Sequence, residues 1–141
     1  MTKTQTAIEK SVSKLRAVLG DRLSTGSSVR ELHARDEAYS APALPDAVAF
    51  PESAEEVAKI ATICAENGCP IVPYGIGTSL EGHVVPVQGG VSVDFSRMNR
   101  ILEIDERNLI ATVEPGVTRT QLNEALRATG LMFTVDPGAD A

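Results

Sequence analysis

Residues 70–90 read PIVPYGIGTSLEGHVVPVQGG, with glycines at 75, 77, 82, 89 and 90, prolines at 70, 73 and 86, and Glu81 as the one acidic residue. Nothing in the stretch repeats at a helical spacing. Glycine reaches positive φ without a steric penalty, so such a run is shaped by its backbone and not by packed side chains. Any fold open to this chain must hold a long glycine loop between ordered elements.

The flanking sequence supplies those elements. Ile8, Val12, Leu15, Val18 and Leu19 recur at helical spacing, which predicts an amphipathic helix over 5–19 ended by Gly20. A second short helix is expected over Val29–Arg35. The segment SAPALP (Ser40–Pro45) holds two prolines that helix interiors reject, so it reads as a linker. The expected division is a helical N-terminal arm with linker at 1–44 and a second unit at 45–141.

Beyond the linker, AVAF is a short apolar strand closed by Pro51. Ser53 and Glu56 form a capping box, opening a helix whose face is Val57, Ile60, Ala61 and Cys64 and whose stop is Gly68. PIVPY is the strand that enters the glycine loop. VSVDF (Val91–Phe95) alternates as a half-buried strand does, and ILEID and LIATVE read as two more strands joined at ERN. Thr118 and Gln121 make a second capping box, Leu122, Ala125 and Leu126 its helix face, Gly130 its stop, and LMFTV (Leu131–Val135) a last strand. Strand, capped helix, glycine and strand thus occur twice, at 46–75 and 109–135. The expected class is α+β, with helices on one face of a mixed sheet.

Composition narrows function. A formal charge of −6 argues against a nucleic-acid surface. Cys64 and Cys69 lack zinc-site spacing, and Cys64 reads as a small buried hydrophobe. No apolar run is long enough for a transmembrane segment. The N-terminus lacks the apolar centre of a signal peptide and is only faintly like a transit peptide. The expected location is cytoplasmic, peripheral to the inner membrane at most.

Main-chain N–H groups turned toward one point form an anion-binding concavity. YGIGTS follows a strand and offers such groups from Gly75 to Ser79, plus the hydroxyls of Thr78 and Ser79. A diphosphate suits these neutral donors. The P-loop pattern fails, because no lysine follows Lys59. The GxGxxG fingerprint fails too, because its last spacing is wrong and no helix follows. Loop composition alone leaves open a plain surface loop of turns.

VPYGIGTSLEGHVVPVQGGVSVDFSRMNRI resembles the N-terminal flavin-binding segment of FAD-linked oxidases, the p-cresol methylhydroxylase-type or vanillyl-alcohol oxidase superfamily. PDAVAFPESAEEVAKI, VEPGVTRTQLNEAL and GLMFTVDPGADA resemble further markers of that family, in order. The nearest branch is similar to D-lactate dehydrogenase (cytochrome) and the glycolate oxidase FAD subunit. The resemblance covers about residues 30–141 and implies the first subdomain of a p-cresol methylhydroxylase-type FAD-binding domain.

It further implies that Pro73, Tyr74, Gly75, Ile76, Gly77, Thr78 and Ser79 wrap the FAD pyrophosphate, with Gly82 and His83 in the same loop. Pro137, Gly138 and Asp140 would open a second flavin-contacting loop, and Glu114-Pro115-Gly116 would turn close to the flavin ring. Relatives that attach FAD covalently use a histidine whose place falls near Thr78, so FAD is expected to be noncovalent, with His83 a loop hydrogen-bonder. The implied reaction takes a 2-hydroxyl proton to a base and the C2 hydride to the flavin, giving the 2-oxo acid. An electron acceptor or partner subunit would then take the electrons.

The histidine base and substrate-gripping arginines of that family are expected outside residues 1–141. The chain therefore reads as a fragment with no catalytic residue of its own, inactive alone. A non-catalytic nucleotide-binding module or partner subunit is the alternative. Among single residues, His33 reads as solvated, Asp94 as a strand-end cap, Arg97 and Arg100 as solvated turn residues, and the Met and Phe positions as core.

Overall fold

The computed structural model describes residues 3–37, 39 and 41–135. Helix α1 spans Lys3–Leu19 and runs into a 3₁₀ turn at Gly20–Arg22. Its inner face is Ile8, Ser11, Leu15 and Leu19, all buried, while Val18 stays exposed. Ser11 fits that face because its hydroxyl donates to the Ala7 carbonyl at 3.0 Å, one turn back.

Strand β1 is Leu23–Ser24, helix α2 Ser27–Leu32 and strand β2 Ala47–Ala49. Helix α2 ends short of the expected Arg35, because His33 leaves helical geometry at ψ 9°. Helix α3 spans Ala54–Asn67. The Ser53 hydroxyl accepts the Glu56 N–H, and the Glu56 carboxylate accepts the Glu52 N–H, so both halves of the expected cap form. Arg22 grips both oxygens of Glu56 and, with the Glu52 N–H, holds its carboxyl down at about 2. Gly68, left-handed, closes the helix.

Strand β3 is Ile71–Tyr74 and strand β4 Val91–Asp94. The sheet order is β1-β2-β4-β3, with β2, β4 and β3 parallel and β1 antiparallel at the edge. Strand β4 is buried along its whole length, not half-buried as its alternation suggests. The alternation sorts two covered faces. Val91 and Val93 join Ala47 and Ala49 in a core with Ile8, Leu15, Leu19, Ile60 and Cys64 of α1 and α3. Ser92 and Asp94 point to the opposite face, where α2 packs on β2. One core therefore draws on both sides of the proline linker, and the linker is docked: Ala43 donates to the Ala34 carbonyl and Arg30 to that of Pro45.

Strands β5 (Ile101–Asp105) and β6 (Ile110–Val113) form a separate antiparallel hairpin, followed by α4 (Arg119–Leu126). The Thr118 hydroxyl accepts the Gln121 N–H, as the second capping box predicts. The expected strand at 131–135 is not one. Phe133 instead exchanges hydrogen bonds with the Asn123 side chain, its N–H donating at 2.7 Å. Met132 and Phe133, expected in the core, are exposed.

Strand β4 enters between β2 and β3 at Gly90, which has φ 88°. Its N–H donates to the Asp46 carboxylate, its carbonyl accepts the Asp46 N–H, and an added Cβ would lie 2.3 Å from the Pro70 carbonyl oxygen. Gly90→Ala combines left-handed strain with a backbone clash and is expected to cost roughly 2–4 kcal/mol. Urea unfolding measures this, and an unchanged midpoint would show that the three strands can part at no cost.

Candidate functional site

The site is built where β3 stops. Tyr74 ends the strand half-buried, and the chain turns through Gly75, Ile76 and Gly77. Gly77 has φ 75°, and an added Cβ would sit 2.2 Å from the Tyr74 hydroxyl. The loop is folded back over the tyrosine, and only glycine permits that approach.

The next five residues form a consecutive run. Among the described residues, none accepts a hydrogen bond from the N–H groups of Gly75, Ile76, Gly77, Thr78 or Ser79. A main-chain donor must find its acceptor in protein, solvent or ligand. Further along, the N–H groups of Glu81, Gly82, Val85, Val87 and Gly89 find protein acceptors. The Ser79 hydroxyl accepts the Glu81 N–H and shares a hydrogen bond with His83 Nδ1 at 3.1 Å. Val85 donates to the Gly82 carbonyl, and Val84, Val85 and Pro86 are buried. Pro73 and Gly75 are exposed at the loop entry, Thr78 and Gly82 half-buried, and His83 exposed. Five consecutive amides without an acceptor among the described residues, with the Thr78 hydroxyl, are a donor set that suits an anion with several acceptor oxygens, as a diphosphate has. Pro137, Gly138 and Asp140 lie outside the described residues.

Beneath the loop lies a buried ion pair that linear spacing does not reveal. His33 and Asp94 are buried, with Nε2 2.8 Å from Asp94 Oδ2. The expectation of a solvated His33 is thus corrected. Leaving α2 turns its ring inward, edge-on to Phe50 and 4.3 Å between centroids from Tyr74. Its Nδ1 lies 2.8 Å from the Val29 carbonyl. Both ring nitrogens face acceptors, so both must donate, which describes an imidazolium. Burial pushes the His33 pKa down most, but the Asp94 hydrogen bond, the Val29 carbonyl and the Asp94 charge together lift it above the ordinary value. Burial likewise pushes Asp94 up, and hydrogen bonds from His33 and Ser96 outweigh it, leaving its carboxyl below the ordinary value. The Asp94 Oδ1 also accepts the Ser96 N–H, the expected turn role.

The second half of the chain contributes a turn and a groove. Glu114 is buried and takes both the main-chain N–H and the guanidinium of Arg100. Arg97 pairs with Glu52 at 2.8 Å, so neither expected turn arginine is merely solvated. Gly116 approaches so closely that an added Cβ would lie 2.1 Å from the Phe95 carbonyl oxygen. Between the hairpin and α4 runs an apolar groove of about 450 Å³, lined among others by Ile110, Val113, Leu122, Leu126 and Phe133. Among the described residues, no cluster of three or more His, Cys, Asp or Glu could hold a metal ion, and no helix is long and apolar enough to cross a membrane.

The parallel strands, the helices packed on them and the glycine turn make an α+β unit with a helical N-terminal segment. Residues 45–141 match the family described as FAD binding domain, and the chain belongs to that family, whose cofactor is FAD. It is similar to the probable mitochondrial D-lactate dehydrogenase of Danio rerio, 50% identical over 136 residues, covering 96% of this chain and 27% of that protein. It is also similar to the glycolate oxidase subunit GlcD of Bacillus subtilis, 43% identical over 110 residues, covering 78% of this chain and 23% of that one. Among solved structures, p-cresol methylhydroxylase with substrate bound superposes with a TM-score of 0.79 at 32% identity, over 91% of this chain and 26% of that chain. The chain thus spans about a quarter of the length of these relatives.

The ion pair sets a pH window. The raised histidine pKa adds stability that is whole below the unfolded value of about 6.5 and is lost as pH rises through the folded value. The lowered Asp94 pKa adds stability that is whole above about 3.9 and is lost as pH falls through the folded value. Urea unfolding from pH 4 to 9 should show an alkaline loss of stability in the wild type that His33→Gln lacks. Parallel curves would mean that His33 folds as the neutral imidazole.

Proposed function

We propose that this chain is the cofactor-seating N-terminal part of a flavin-dependent oxidoreductase that oxidises a D-2-hydroxy acid, of the lactate or glycolate type, to the 2-oxo acid. The observation that carries the reading is the run of amides from Gly75 to Ser79 without an acceptor among the described residues, directly after edge strand β3 of the parallel sheet, in a chain of the FAD binding domain family. The names of the Danio rerio and Bacillus subtilis relatives support the substrate class.

In this reading Pro73 and Tyr74 set the direction of the loop, and the N–H groups of 75–79 with the Thr78 and Ser79 hydroxyls hold the pyrophosphate. Gly82 and His83 close the loop from its far side. The place of the histidine that attaches FAD covalently falls near Thr78, and His83 shares its ring nitrogen with Ser79, so in this reading FAD is held noncovalently. Pro137, Gly138 and Asp140 belong to the second contact, and Glu114 to Gly116 to the turn near the ring. When bound, FAD supplies the hydride acceptor, and this chain's residues bind and orient it. Residues 1–141 supply no catalytic side chain and are inactive alone. An electron acceptor or partner subunit completes the cycle. In this reading the FAD unit begins at residue 45, and the arm at 1–44 shares its core. A cytoplasmic location, peripheral to the inner membrane at most, is part of this proposal.

The test is the cofactor itself. The complete protein should carry flavin absorption, and acid precipitation should release FAD of unmodified mass. Gly77→Ala, whose Cβ meets the Tyr74 hydroxyl, should weaken FAD binding at least tenfold, and residues 1–141 alone should neither retain FAD nor oxidise D-lactate or glycolate. Flavin that stays with the precipitate, or unchanged affinity in Gly77→Ala, contradicts the assignment.

A further inference from the structure

The glycine loop is held from outside by a segment that precedes the residues matched to the FAD family. Three contacts run from 32–37 to 74–82. The Tyr74 hydroxyl donates to the Leu32 carbonyl at 3.3 Å, the Glu37 N–H to the Ser79 carbonyl at 3.1 Å, and the Gly82 N–H to Asp36 Oδ2 at 2.9 Å. The segment is itself fixed to the sheet through His33 and Asp94. Its contacts fall at Tyr74, Ser79 and Gly82, before, at the end of and after the run of unengaged amides.

We propose that Leu32–Glu37 is a support that holds the cofactor loop in its binding shape, with Asp36 as its principal positioning residue. The inference rests on the reading that residues 75–79 hold the pyrophosphate. An amide concavity binds well only when its N–H groups are already aimed, because ordering a glycine run on binding costs more entropy than ordering any other. Glycine provides the turn but no rigidity. The contact at Gly82 supplies that rigidity without using any of the amides meant for the ligand.

Asp36 acts through its oxygen as an acceptor, not through its charge. A negative charge beside an anion site is unfavourable in itself. Titratable groups around this cluster include Asp36, His33, Tyr74 and Asp94, with Arg35 and Glu37 on the segment and Glu81 and His83 on the loop, and the charges of Asp94 and Asp36 both raise the Tyr74 pKa, below the burial effect. A neutral acceptor of the same shape should therefore serve as well or better.

The experiment compares Asp36→Ala, Asp36→Asn and Gly77→Ala in the complete protein. FAD dissociation constants are read from flavin fluorescence on titrating apoprotein, and apoprotein urea midpoints are measured in parallel. Asp36→Ala should weaken FAD binding about tenfold or more, with its apoprotein midpoint near wild type. Asp36→Asn, whose amide oxygen can still accept from Gly82, should bind at least as tightly as wild type. Wild-type affinity in Asp36→Ala alongside weakened Gly77→Ala overturns the support role and leaves the pyrophosphate reading standing. Wild-type affinity in both removes that reading and this proposal with it. Equal loss in Asp36→Ala and Asp36→Asn, or a loss matched by a lowered midpoint, shows Asp36 to serve charge or folding and also overturns the proposal.

Discussion

The burial of β4 on both faces is the constraint on which the other features depend. A parallel strand between two others has no exposed face, so each of its side chains must be matched from above or below. Val91 and Val93 are met by α1 and α3. Asp94, facing the other way, is met by His33. An unpaired carboxylate at that depth would cost several kcal/mol, by the general penalty for a buried, unpartnered charge. The same pairing fixes where α2 must end and where the chain after it must run. The position of residues 32–37 beside the glycine loop is therefore a consequence of filling the far face of β4.

That arrangement separates two tasks that a phosphate-binding loop otherwise combines. In a P-loop, a lysine supplies charge to the ligand and the loop leads straight into a helix. Here no lysine follows Lys59 and no helix follows the loop. On the proposed reading the amides of 75–79 serve the ligand, while shape comes from Tyr74 under Gly77 and from acceptors and donors on 32–37. A protein of net charge −6 can then take an anion by dipoles aimed at short range, without a basic surface.

Local signals carried well from sequence to structure. Ser53 and Thr118 cap their helices as their spacing demands, because a cap is decided within four residues. The glycines at 68, 77, 82 and 90 sit at positive φ, and the α+β class and the cofactor family follow from such markers. Long-range pairings were not legible. His33 and Asp94 are 61 residues apart, and nothing in ELHARD announces which face of the sheet awaits it. The alternation of VSVDF reported two faces correctly but could not say that both are covered, since a polar residue at a partnered buried position looks like one facing solvent. Residues 131–135 have strand-like composition, yet strand formation needs an edge to pair with, and Phe133 finds Asn123 instead.

The two halves of the chain differ in how far they satisfy themselves. From α1 to β4, apolar side chains close a core of their own, and the site's support is drawn from that half. From β5 onward, Leu122 and Leu126 are the buried apolar residues of α4, while Leu109, Ile110, Met132 and Phe133 remain exposed around the groove. A two-stranded hairpin with one open apolar face is marginal by itself. What holds it here is polar and local: Glu114 on Arg100, Gln121 on the Asn99 carbonyl and Gly116 against Met98. These contacts fix the turn at 114–116 without covering the groove. Stability must therefore be uneven along the chain, highest beneath the glycine loop and lowest in the hairpin and α4. The contacts at Tyr74, Ser79 and Gly82 do not draw on the less stable half, because each comes from residues 32–37.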